Sequence, residues 1–199
     1  VITWHDVKQG SAEWHKLRRL LWTGSTAIRL LQGKLFREQG DFGGNIHTKR
    51  GKILEEIAVR EYERKYRVKV KRPGFVTNTV YPNAGFSPDA IDGPWLIENK
   101  SLNGIKHEEL IEGKRSLKNM EDFIMSKIPL QYKVQIFFGM IITGLRKARL
   151  LAFNPEYEEQ LIVIEIGYDK LIGNNIRKKL RLDMKNRQLL SSRLTAVSH

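Results

Sequence analysis

The chain has 199 residues, with 35 Lys and Arg against 22 Asp and Glu, a formal net charge of +13. A hydrophobic content of 41% beside 29% charged residues supplies enough apolar material for a core and too much for a disordered polycation. The sequence has no cysteine, which excludes disulfides, Cys-ligated zinc, iron–sulfur clusters and thiol nucleophiles, so any metal must be a hard ion held by oxygen or imidazole.

Residues 1–6 lack the basic start and apolar stretch of a secretory signal. Trp14, Leu17 and Leu21 share one face of a helix over residues 11–21, with Ser11 as its N-cap. Thr23-Gly24-Ser25 interrupts it, Ser25 caps a second short helix to Leu31, and Gly33 ends that helix. Residues 34–45 are polar and glycine-rich, the composition of a mobile loop. A longer helix begins near Thr48 with Ile53, Leu54, Ile57, Ala58 and Tyr62 as its core stripe and Arg60, Glu61 and Arg64 outward.

From Arg67 the period changes to two: Val68 and Val70 alternate with Lys69 and Lys71, which predicts the first strand of a sheet. Turns at Pro73-Gly74, Pro82-Asn83 and Asp92-Gly93-Pro94 then separate strands over 75–80, 85–91 and 95–100, a meander. Residues 101–127 are polar and without a clear period. Pro129 suits the first turn of a helix to about Ile142, two β-rich runs cover 148–153 and 161–166, and a basic helix spans about 169–190. Helices on both sides of a central mixed sheet make an α/β (α+β) core, one domain over 1–199. The longest nearly apolar run, residues 136–145, is well short of the ~18 needed to cross a bilayer, so an intracellular or viral protein with no membrane partner is expected.

The positive charge is uneven. Residues 170–199 hold eight Lys or Arg against the single acid Asp183, and residues 60–72 hold seven against Glu61 and Glu63. Together with the overall charge, two such stretches favour nucleic acid over an anionic membrane, because the carboxy-terminal segment lacks the Trp and Phe of interfacial helices. Phosphate-loop, dinucleotide and serine-hydrolase glycine motifs are absent, and the five histidines never fall at the i, i+4 spacing of a helical metal site.

The chemically informative segment is Ser87-Pro88-Asp89, eight residues, then Glu98-Asn99-Lys100. On adjacent strands of a hairpin, Asp89 and Glu98 converge on one side of the sheet, and the i, i+2 relation puts Lys100 on the face of Glu98. Two carboxylates that hold a hard divalent cation and a lysine that positions water are what phosphodiester hydrolysis requires. By itself Asp-x(8)-Glu-x-Lys arises by chance in many proteins; the apolar Trp95-Leu96-Ile97 approach, which would bury a charged pair, gives it weight.

Pro88-Asp89 with Glu98-Asn99-Lys100 is similar to the PD-(D/E)xK nuclease signature, and neighbouring words in order resemble the lambda exonuclease branch, the viral-type alkaline exonucleases. These words are Trp14-His15-Lys16-Leu17-Arg18, Thr23-Gly24-Ser25, Gly51 with Glu55, Ser87-Pro88-Asp89, Tyr132-x-x-Gln135 and Thr143-Gly144, within residues 4 to about 155. Phe137 stands where a second glutamine is often found, and Asn99 where an apolar residue is common.

The resemblance implies a restriction-endonuclease-like core and a Mg2+-dependent exonuclease, with Mn2+ as substitute. Such an enzyme degrades one strand of duplex DNA from its 5′ end, works as a ring-shaped homotrimer and feeds single strands to an annealing protein. It implies Asp89, Glu98 and the backbone carbonyl of Asn99 as metal ligands, Lys100 acting on water and Glu55 completing the acidic site. Arg18, Ser25, Ser87 and Gln135 match positions that bind the terminal 5′ phosphate or the scissile nucleotide. The Trp and Phe residues read as core more than as base-stacking platforms, with Trp22, beside the Arg18 and Ser25 elements, the one placed to contact the separated end. An endonuclease on the same core and a DNA-binding protein without catalysis are the alternatives. Nicking of closed circles would mark the first, metal-independent binding without nucleotide release the second.

Overall fold

The structure, a computed structural model, describes residues 1–38, 46–101, 104–116 and 126–197. Helix α1, Ala12–Arg18, starts where Ser11 Oγ accepts the Trp14 N–H at 3.2 Å. A 3-10 turn, Gly24–Thr26, passes into α2, Ala27–Leu31, which ends at Gly33 with φ +72°. Ser25 caps neither element. The Thr23 N–H donates to Thr26 Oγ1 at 2.9 Å and the Thr26 N–H to the Thr23 carbonyl at 2.9 Å, which closes the turn and leaves Ser25 exposed. Trp22 is 1% exposed and packs edge-on against Phe36, so it belongs to the core and not to a DNA-facing surface.

Helix α3, Ile46–Tyr66, buries Ala58, Val59 and Tyr62, with Leu54 partly covered, against Ile97, Leu151 and Phe153. Ile53 and Ile57, expected in the stripe, are exposed, because Leu54, Ala58 and Tyr62 at i, i+4 and i+8 define the inward face and leave those isoleucines outside it. The alternating residues 67–71 do not form a ladder strand either. Arg67 takes a left-handed φ of 54° at the end of α3, the Val68 N–H donates to the Glu63 carbonyl, and the Val70 N–H donates to Glu63 Oε1 at 3.0 Å. With two of its amides spent on the helix terminus, the segment keeps only a single bridge from Lys71 to Ile91.

Two sheets form among the described residues where one was expected. The first is antiparallel, in the order β1 (Ile2–His5), β2 (Phe75–Asn78), β3 (Gly85–Phe86). The second is the mixed sheet, in the order β4 (Ala90–Asp92), β5 (Trp95–Ser101), β6 (Lys147–Phe153), β7 (Leu161–Gly167), with β5 and β6 parallel and the other pairs antiparallel. The strand expected over 85–91 breaks at Ser87-Pro88-Asp89. Proline has no N–H to donate to a ladder, and the chain leaves one sheet there and enters the other.

Between β5 and β6 lie α4, Gly104–Ser116, in the stretch that had no clear period, and α5, Leu130–Thr143. The expected loop over 34–45 and the stretch 101–127 extend in part outside the described residues. Helix α5 is apolar nearly all round: Val134, Ile136, Phe137, Phe138, Met140 and Ile142 are all buried. It covers the mixed sheet on the face of Leu96, Ala148 and Leu150, opposite α3, and also packs on the first sheet through Val76 and Phe86. The last helix, α6, Lys170–Val197, is capped by Asp169, whose Oδ1 accepts the Ile172 N–H at 3.0 Å, and is anchored by the fully buried Ile176 and Leu180. No described helix is long and apolar enough to cross a membrane.

Gly139 lets α5 approach both sheets closely. A Cβ there would meet Phe86 Cζ at 2.5 Å and Leu96 Cδ2 at 2.8 Å. We predict that Gly139→Ala destabilises the protein by roughly 1–3 kcal/mol through overpacking, read as a lowered midpoint in thermal unfolding; an unchanged midpoint would show that both side chains give way freely.

Candidate active site

The candidate site residues follow from the β4–β5 hairpin. The register pairs Ala90 with Ile97, so Asp89, one residue earlier, stands opposite Glu98, and opposed residues of an antiparallel pair share a face. Asp89 Oδ2 accepts the Asn99 N–H at 2.6 Å, which ties the two halves of the motif together. Glu98 and Lys100 alternate onto the face that α5 covers, and Lys100 Nζ donates to Glu98 Oε1 at 2.8 Å. From α5, Gln135 Nε2 donates to the same Glu98 oxygen. The parallel β5–β6 pairing makes β5 an interior strand, so Glu98 is 1% exposed.

This burial has an electrostatic consequence. Desolvation pushes the Glu98 carboxyl up to about 8, and the negative charges of Asp89 and Glu55 add to the effect. Glu55 is pushed up to about 7, again first by burial and then by Asp89. Asp89 moves in the same direction through burial. Lys100 lies above its usual range although burial opposes this, because Glu98 and Asp89 favour its charge. Glu98 Oε2 is buried and has no hydrogen-bond partner.

Asp89, Glu98, Lys100 and Gln135 are therefore brought together. Glu55 differs: it stands on α3, which covers the opposite face of the sheet, and reaches the cluster as a charge. Among the described residues, no three carboxylate or imidazole side chains gather tightly enough to form a complete cage for an ion. What the chain offers is an all-oxygen donor set with one buried carboxylate oxygen lacking a partner, which fits a hard divalent cation and not a soft one.

The other candidates approach from the amino-terminal side. Arg18 lies over the Trp14 ring, 4.0 Å from its centroid, and reaches Thr23 Oγ1 and Ser25 Oγ at 3.5 Å each. Burial lowers its guanidinium to about 10, still a cation at neutral pH. Trp14 Nε1 donates to Ser87 Oγ at 2.8 Å and to the Gly74 carbonyl at 3.2 Å. The 3-10 turn that carries Ser25 packs onto α5 so closely that a Cβ on Gly24 would lie 3.0 Å from Gln135 Cγ. Arg18, Ser25 and Ser87 thus form one linked group whose hub is Trp14.

Trp14, Tyr132 and Arg72 are further residues at the site beyond those the motifs name as functional. The Lys100 ammonium sits 5.6 Å from the centroid of the Tyr132 ring, and the Arg72 charge acts on both Glu55 and Asp89. The i, i+4 spacing of Trp14 and Arg18 and the i, i+3 spacing of Tyr132 and Gln135 were the available signals. Arg72 had none, since only the fold brings it to the acids.

Residues 13–146 match the family model described as YqaJ-like viral recombinase domain. No curated protein matches the sequence. Among solved structures, the alkaline exonuclease LHK-Exo from Laribacter hongkongensis has a TM-score of 0.72 at 19% identity, over 94% of this chain and 98% of that one. A complex of LHK-Exo with dAMP gives the same values. A phage-related exonuclease from Haemophilus somnus has a TM-score of 0.58 at 14% identity, over 90% of this chain and 99% of that one. At these identities the likeness is one of fold, and it agrees with the mixed α/β core and with the lambda exonuclease-like resemblance of the ordered motifs. The match over residues 13–146 covers most of the sequence, and the chain belongs to the family of YqaJ-like viral recombinase domains.

Proposed function

We propose that the chain is a divalent-metal-dependent exonuclease that removes mononucleotides from the 5′ ends of linear duplex DNA, with Mg2+ as its ion and Mn2+ as substitute. The observation that carries this reading is the buried Glu98 carboxylate, with one oxygen bound by Lys100 and Gln135 and the other without a partner. Asp89, Glu98 and the Asn99 carbonyl would hold the ion, with Glu55 contributing charge from α3. When bound, such an ion polarises the scissile phosphate and acidifies water. Lys100 is a cation at neutral pH, so it positions the attacking water and offsets negative charge on the phosphate; it does not serve as the base. Gln135 orients Glu98 and offers an amide to the same phosphate.

Fold likeness to LHK-Exo, crystallised with dAMP, supports a mononucleotide product. The +13 net charge and the exposed Lys170, Lys178, Arg181 and Lys185 of α6 support a polyanionic substrate. The family resemblance supports a single nuclease unit that assembles as a trimeric ring and hands its single strand to an annealing protein. The test is release of label from linear duplexes marked at either end, in Mg2+ and in chelator, with a closed circle alongside. Release from 5′-labelled ends in Mg2+, with the circle intact, is expected. Nicked circles would assign an endonuclease, and no release with any divalent ion a binding protein.

Arg18, Ser25 and Ser87 would hold the terminal phosphate. We expect Arg18→Ala to reduce the preference for 5′-phosphorylated over 5′-hydroxyl ends by about tenfold or more, the scale of one charge-assisted hydrogen bond. Trp14→Phe, which keeps the ring but loses the N–H to Ser87, should shift the preference the same way by less. Equal preference ratios in wild type and Arg18→Ala would remove Arg18 from the end-binding role.

A further inference from the structure

A cavity of ≈ 220 Å³ opens at the end of α5 away from Gln135. Gln135 and Gly144 lie nine residues apart on this helix and its cap, ~14 Å of helical rise, so the cavity is separate from the active centre. Its walls come from the end of β2 and the following turn, the last turn of α5, and the start of α6. The ionisable groups that line it are Tyr81, Arg146, Tyr168 and Arg177, and no carboxylate is among the lining residues. Asn78, also on the wall, is spent on structure: it donates to the Ile142 carbonyl and accepts the Val80 N–H.

The two arginines are not neutralised in the way other cations of this chain are. Arg64, Lys69, Arg72, Arg149 and Arg187 each sit against a carboxylate, whereas neither Arg146 nor Arg177 does among the described residues. Arg177 Nε donates to the Tyr168 hydroxyl at 3.2 Å, which fixes one edge of its fork and leaves further N–H groups to donate. Tyr81 is 2% exposed, and its hydroxyl, beside Arg177, is buried without a hydrogen bond of ordinary geometry. A buried hydroxyl donor without a well-placed acceptor is unfavourable. Water could accept from Tyr81 but would leave two guanidinium charges unbalanced. An oxyanion meets both needs, and planar N–H forks match phosphate oxygens in particular.

We infer that this cavity binds a phosphate group, supplied either by a nucleic-acid backbone held away from the active centre or as free phosphate. The inference does not depend on catalysis, and the test is run on the full chain in chelator, with Lys100→Ala as background to separate it from the active centre. Calorimetric titration with inorganic phosphate, against chloride at equal ionic strength, should show binding. Arg146→Gln, an exposed position whose loss threatens no packing, should weaken it about tenfold, and Arg146→Gln with Arg177→Gln should abolish it. Tyr81→Phe keeps the ring and should weaken it by a smaller factor.

A second titration, with a single-stranded oligonucleotide, tells the two sources apart. Lower affinity in the double variant, with the slope of log affinity against log salt reduced by roughly one or two, marks a backbone phosphate; unchanged oligonucleotide binding marks free phosphate. The inference is overturned if phosphate does not bind, or if Arg146→Gln and the double variant bind it as wild type does. It is also overturned if Tyr81→Phe keeps full phosphate affinity while the thermal midpoint rises, since the hydroxyl would then be only an unsatisfied group.

Discussion

Lys100→Ala should lower turnover on linear duplex DNA by roughly 10²–10³-fold, the usual range for loss of one preorganised donor that stabilises developing negative charge, while binding to the duplex persists. The ammonium is held at 2.8 Å by Glu98 and lies 5.6 Å from the centroid of the Tyr132 ring, with its side chain 19% exposed, so it has little freedom beside the candidate metal ligands. Lys100→Arg should not restore the rate, because a planar fork does not occupy the volume or present the donor geometry of a compact ammonium. Single-turnover release of a 5′ label, beside DNA binding measured in Ca2+, separates chemistry from affinity. A Lys100→Ala variant that degrades DNA at the wild-type rate would end this mechanism.

Glu98→Gln should eliminate turnover and, in the absence of metal, make the protein more stable in alkaline solution than the wild type. The folded chain holds the Glu98 proton up to about pH 8, whereas an ordinary glutamate releases it near 4.5. Glu55, pushed up to about 7, and Asp89, raised by the same burial, act with the same sign. Between about pH 5 and 8 the folded state therefore binds more protons than the unfolded state, and the metal-free protein loses stability as pH rises through that window. A divalent ion must displace those protons, so its affinity and the stabilisation it brings both increase with pH through 7 to 8. Thermal midpoints in chelator and in Mg2+ from pH 5.5 to 9 test both limbs. For the wild type the two curves should diverge with rising pH; for Glu98→Gln they should stay together. A metal-free midpoint that climbs between pH 5.5 and 8 would contradict the buried-acid account.

Two sources of basic charge, counted alike in the sequence, separate in the fold. Of the stretch over 60–72, Arg64, Lys69 and Arg72 are paired with Glu61, Glu63 and Glu56 of α3. In α6, Arg187 pairs with Asp183, donates to the Leu20 carbonyl and lies over Phe36, so it fastens the helix to the core. The cations available to a polyanion are thus fewer than the raw count, and exposed ones remain in both stretches: Arg60, Lys65, Arg67 and Lys71 in the first, Lys170, Lys178, Arg181 and Lys185 on α6.

The sequence by itself determined the parts of this protein that depend on local spacing. Ser11 as a cap, Gly33 as a stop, the β4–β5 hairpin around Asp92-Gly93-Pro94, the apolar helix after Pro129 and the basic last helix all follow from local spacing, capping and turn chemistry. The meeting of Asp89, Glu98 and Lys100 belongs with them, because a hairpin converts eight intervening residues into one shared face. What only the tertiary structure decided are the relations between distant segments. Residues 67–71 alternate like a strand, but Glu63 captures the Val70 N–H; Ile2–His5 is β-prone in composition, yet it becomes β1 only because β2 offers it an edge. Likewise Trp14 meets Ser87, and Gln135 meets Glu98, across 73 and 37 residues of chain. Local periodicity ranks the conformations of a short segment, whereas competition for backbone amides, sheet edges and buried partners is resolved only when those segments pack together, and the candidate site lies where they meet.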